Sequence, residues 1–91
     1  MIKMTKKEWI LLTIKRLKDY KNRAMASPDS VRDFYSSHEA NRTLSFVGSV
    51  IKTKDLHDII DETHRRILRK EDPVLILSNV IDSLEKTLSE I

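Results

Sequence analysis

His57, Asp61 and His64 are the residues whose types and spacing come nearest to chemistry. On an α-helix a His-x3-Asp-x2-His set stacks within about 60° of arc, bringing two imidazoles and a carboxylate to one side. Such a set could ligate a transition-metal ion. A metal would also need ligands from a second element, and His38 is the only other histidine. Two histidines and an aspartate beside an apolar stripe read more simply as a solvated flank with local hydrogen bonds. No metal and no other cofactor is expected.

Catalysis has less support. Asp61 and Glu62 are adjacent and cannot face one another across a cleft as an acid–base pair does. No serine sits in a nucleophile elbow. The single glycine, Gly48, excludes a Gly-rich phosphate loop. With no cysteine there is no thiolate nucleophile, disulfide framework or Cys-based zinc site. The chain reads as a non-enzyme.

What remains is charge. Residues 1–25 hold Lys3, Lys6, Lys7, Lys15, Arg16, Lys18, Lys21 and Arg23 against Glu8 and Asp19, so eight minus two gives +6. The other 66 residues hold nine basic and twelve acidic side chains, or −3, and the net +3 hides a dipolar molecule. Lys21 and Arg23 suit the negative end of a helix. Lys6 and Lys7 sit at its positive end, where a cation costs a few tenths of a kcal/mol, which points to a negatively charged partner.

The elements that position these groups are helical. One glycine and two prolines leave too few turn residues for an all-β fold. At 91 residues, with 40% hydrophobic and 34% charged residues, the chain suits a single domain over residues 1–91. The expected architecture is all-α: a compact bundle of four to five short amphipathic helices.

The first helix opens at a capping box, Thr5 with Glu8, and runs to about Met25-Ala26. Trp9, Ile10, Thr13, Ile14, Leu17, Tyr20 and Ala24 fall in an arc of roughly 140° that should face the core. Lys15, Arg16, Lys18, Asp19, Asn22 and Arg23 are assigned to the opposite side, with Leu11 and Leu12 among them. Ser27-Pro28 signals a second start, with Ser27 as N-cap, and Val31, Phe34 and Tyr35 form a short stripe. The apolar phase then resets at Ala40. Ser36 and Glu39 can form another capping box, which predicts a break near Ser36-Ser37 and a third helix from about His38 to Lys52. Its stripe is Ala40, Leu44, Val47 and Ile51. Gly48 lies inside it, where a close crossing would need a small residue, and Phe46 points away. The fourth helix follows an N-cap at Thr53, with Leu56, Ile59, Ile60, Thr63 and Ile67 inward. The fifth opens at Asp72-Pro73 and carries Leu77, Val80, Ile81, Leu84, Leu88 and Ile91. Val74-Leu75-Ile76-Leu77 is apolar all round and should be covered by two neighbours or by another chain.

Taken together, these features predict a small interaction protein: an inhibitor, adaptor or regulator. The expected contact residues are Lys6, Lys7, Leu11, Leu12, Lys15, Arg16, Lys18, Arg23 and Phe46, meeting an acidic protein surface. The alternative is a nucleic-acid-associated protein whose first helix contacts phosphates without reading sequence. A helix-turn-helix drawn from Leu44 to Arg69 is rejected, because its second helix would present Asp55, Asp58, Asp61 and Glu62 to a polyanion. Membrane-surface binding is disfavoured, since the apolar face is needed for the core. No stretch reaches the ~18–20 apolar residues of a membrane span, and no secretory cleavage site follows the first apolar run. The protein is therefore expected in the cytoplasm. The apolar surplus predicts a homodimer.

Overall fold

Local capping decides where the helices start. Thr5 Oγ1 accepts from the Glu8 N–H at 3.2 Å, and Glu8 Oε1 accepts from the Thr5 N–H at 2.9 Å. That N–H holds the Glu8 carboxyl below its ordinary range. Asp72 Oδ2 likewise accepts from the Leu75 N–H at 3.0 Å, with Pro73 opening the helix behind it. In the computed structural model, which describes residues 3–91, the elements are α1 (Lys6–Met25), α2 (Asp29–Phe34), a π-helical segment (Tyr35–Ala40), α3 (Asn41–Val50), α4 (Lys54–Leu68) and α5 (Pro73–Ser89). The fold is an all-α bundle, with no strand among the described residues.

Residues 28–53 depart from the sequence reading in three ways. Pro28, not Ser27, caps α2, and the Ser27 hydroxyl donates back to the Arg23 carbonyl at 2.7 Å. Arg32 completes that end of α1: its Nε donates to the carbonyls of Ala24 and Ser27, each at 3.0 Å. Of the expected stripe Tyr35 packs against the core, but Val31 and Phe34 do not join it. Both residues are exposed, and Phe34 packs locally on Tyr35 and stacks on His38 at 5.0 Å. Finally, there is no break at Ser36-Ser37. α2, the π segment and α3 run on as one rod. A π turn takes up the phase slip by adding a residue without ending the helix, which leaves no capping role for Ser36 and Glu39. Ser36 and Ala40 thereby turn inward ahead of Leu44 and Val47. The hydroxyls of Ser36 and Ser37 both donate to the Asp33 carbonyl, at 3.2 and 2.7 Å.

α5 is the central element and packs on α1, α4 and the π segment. Leu77, Val80, Ile81 and Leu84 share a buried cluster with Ile10, Ile14, Leu17, Ala24, Ala40, Leu44, Leu56 and Ile60. Within the apolar run, Ile76 and Leu77 are buried inside this one chain, and Leu75 stays 50% exposed. Gly48 sits at the α3–α4 crossing. A Cβ there would lie 2.7 Å from Ile60 Cδ1, so alanine requires Ile60 to turn aside and larger residues would part the two helices. Among the described residues no helix is long and apolar enough to cross a membrane.

α4 ends in a Schellman motif. The Lys70 N–H donates to the Ile67 carbonyl at 3.0 Å and the Glu71 N–H to the Arg66 carbonyl at 3.2 Å. Lys70 therefore holds φ 56°, the left-handed region where glycine is at ease. Lys70→Gly should raise stability by about 0.5–1 kcal/mol. A urea midpoint equal to or below that of wild type would contradict this.

Candidate partner-binding groove

The exposed rim of α1 is shared by residues of very different character. Ile10, Thr13, Ile14, Leu17 and Ala24 are its buried face, while Trp9 and Tyr20 are half-buried at the edge. Trp9 is thus not the core residue that its place in the apolar arc suggested. Arg16 also differs from expectation. It follows Trp9 by seven residues, which at 100° per residue falls about 20° short of two full turns. It therefore flanks Trp9 and does not lie on the opposite side.

These residues form one wall of a groove. Trp9, Leu12, Arg16 and Tyr20 of α1 face Glu39 of the π segment and Arg42, Thr43 and Phe46 of α3, around an open space of about 490 Å³. The Trp9 and Phe46 rings meet edge to face, with centroids 5.7 Å apart and planes 63° apart. Eleven residues along α1, the Tyr20 hydroxyl shares a 3.0 Å hydrogen bond with the Thr43 hydroxyl. Phe46 remains 54% exposed. Arg16 and Arg42 are both exposed and form no ion pair among the described residues.

The groove gathers only part of the predicted contact set: Leu12, Arg16 and Phe46. Leu11 is exposed but does not line it. Lys7 and Lys15 are exposed and without an ion pair among the described residues. Lys18 lies 3.8 Å from Glu85, and Arg23 pairs with Asp19 at 2.9 Å. Lys6 ties the start of α1 to the start of α4 through Asp55, at 2.8 Å. At the basic end of α4 the three arginines are held by two carboxylates. Glu62 gathers Arg65, Arg66 and Arg69, and Glu71 binds Arg66 and Arg69 at 2.8 and 3.0 Å.

The Lys6 contact carries a pH dependence. The Lys6 hydrogen bond, then that of Thr53, lowers the Asp55 carboxyl from 3.8 to about 2. A carboxylate depressed in the folded state stabilises it above the unfolded pKa, and this contribution is lost as pH falls through the folded one. Lys6→Met should therefore be less stable than wild type at pH 7 by about 0.2–1 kcal/mol, the range of an exposed pair. The gap should close between about pH 4 and pH 2. Urea midpoints across that range test it, and a gap that persists at pH 2 would sink it.

The histidine set is pulled apart. His57 Nε2 lies 3.5 Å from Asp61 Oδ2, while His64 Nε2 shares a hydrogen bond with Asn41 Oδ1 of α3. Among the described residues no three acidic or histidine side chains converge as a metal site. Glu39, Arg42 and Tyr20 of the groove were absent from the predicted contacts. Their signal was present in the i, i+4 pair Arg42–Phe46 and in the shared angle of Trp9, Arg16 and Tyr20. Compared with known protein families, with curated proteins and with solved structures, the chain matches none.

Proposed function

We propose that this is a non-catalytic interaction protein, an inhibitor, adaptor or regulator, that engages an acidic surface of another protein through the α1–α3 groove. One observation carries the reading. Of the seven arginines, five are paired with carboxylates, and the two without an ion pair among the described residues, Arg16 and Arg42, line the same groove beside half-buried Trp9 and exposed Phe46. Arginine and aromatic side chains are the types enriched at interface centres. Lys7 and Lys15, exposed on other sides of α1, add to the positive field of the molecule and would speed encounter with an acidic partner.

The test is capture by the immobilised chain from a lysate treated with nuclease. An acidic protein that survives nuclease and is released by salt is the expected result, since exposed charges are screened over ~8–10 Å at physiological ionic strength. Binding that disappears with nuclease would replace this reading with the nucleic-acid one. That alternative draws support from the same juxtaposition of arginines with Trp9 and Phe46, because rings beside cations can stack bases.

The cytoplasm is the proposed location, since a chain without cysteine needs no oxidising compartment. Self-association is proposed through the α4–α5 turn, where Leu68 is 81% exposed and Leu75 stands nearby in sequence. Light scattering at micromolar concentration giving only the 10.7 kDa monomer would overturn that part.

A further inference from the structure

We infer that the occupant of the groove is an acidic amphipathic α-helix carried by the partner protein. This rests on the groove being the binding face, and adds the form and chemistry of what it takes.

Three observations argue for a helix. The groove lies between two helical walls and runs from Trp9 to Tyr20, eleven residues or about 16 Å along α1, which matches three turns of a helix. Strand addition, one mode by which an extended peptide docks, needs a sheet edge, and the described residues contain no strand. Backbone N–H and C=O groups laid against Leu12 and the Trp9 and Phe46 rings would lack partners there, whereas a helix satisfies its own. Third, the Trp9 and Phe46 rings meet edge to face, which leaves an outer ring face for an apolar side chain or a single base but no slot between two parallel rings for a run of bases.

Charge defines the sequence of that helix. Arg16 and Arg42 present two guanidinium forks on opposite walls, each able to take a carboxylate in a bidentate grip. Among the described residues lining the groove Glu39 alone is acidic, and it repels any anion beside it, so the partner's carboxylates must be spaced to meet the arginines and miss Glu39. The aromatic end calls for one bulky apolar anchor, with acidic residues one to two turns away facing the arginines.

The probe is a display library of helix-stabilised random peptides selected against the intact chain. The enriched peptides should combine a bulky apolar residue with Asp or Glu three to eight positions away. They should shift the emission of Trp9, the only tryptophan. A proline at the centre of the best peptide should weaken binding about tenfold or more. Selection against an Arg16→Glu/Arg42→Glu variant should enrich Lys or Arg in place of the acidic residues. Enriched peptides without acidic residues, or undiminished binding of the proline version, would overturn the inference. So would an empty selection, including one in which a 20-nucleotide oligothymidylate shifts Trp9 emission instead. None of those results depends on lysate capture, which decides separately whether this chain binds a protein at all.

Discussion

Leu77→Ala should lower stability by about 3–5 kcal/mol, more than any truncation on the surface of the bundle. Leu77 has no exposed surface and lies in the element that packs on α1, α4 and the π segment at once, so the cavity has no wall free to collapse into it. Against the ~5–15 kcal/mol typical of a domain, that loss threatens folding outright. Trp9→Ala removes a larger side chain, yet should cost only about 1–2 kcal/mol, because Trp9 is half-buried and leans on an exposed phenylalanine. The order of these two effects in urea denaturation is the check. If Trp9→Ala proves the worse of the pair, the tryptophan belongs to the core and the groove is not open.

The second large effect concerns binding. Arg16→Glu/Arg42→Glu should weaken the captured partner by about 2–4 kcal/mol, or roughly 30- to 1000-fold, since it places repulsive charges where the partner's carboxylates are held. Stability should move little, because exposed substitutions usually stay within about 0.5 kcal/mol each. Arg16→Lys/Arg42→Lys keeps the charge and loses the planar fork, so an intermediate loss is expected. Lys86→Glu, an exposed reversal on α5, is the control and should leave affinity unchanged. Titration by isothermal calorimetry resolves all four proteins. Equal losses for Lys86→Glu and the double reversal would mean that only net charge matters.

Much of the fold was legible because its cues are local. Thr5-x-x-Glu8 and Asp72-Pro73 name their helices through side-chain-to-backbone bonds spanning three residues. The buried positions Leu44, Val47, Leu56, Ile60, Val80 and Leu84 follow from helical periodicity alone. The π turn was visible as a phase reset at Ala40, but period counting cannot distinguish a helix that stops from one that takes in an extra residue. Ser27 fits an N-cap by type, and lost that role to the Arg23 carbonyl that its hydroxyl reached first.

The groove was less legible because it depends on which rim of α1 meets α3. Lys6 carries the same charge in sequence as Lys7, and only the α4 start, 49 positions away, reveals it as tied to Asp55. Arg16 was misplaced by an angular assignment that separated it from Trp9. Arg42 was absent from the expected contacts because the excess of positive charge lies in residues 1–25.

The most direct test of the groove is a photo-crosslinker, p-benzoylphenylalanine, placed at Phe46 and, in a separate protein, at exposed Ser83 on α5. Illumination in a nuclease-treated lysate should give an adduct with an acidic protein from position 46 and none from position 83. Adducts from position 83 with position 46 silent would contradict the assignment of the α1–α3 groove as the binding face.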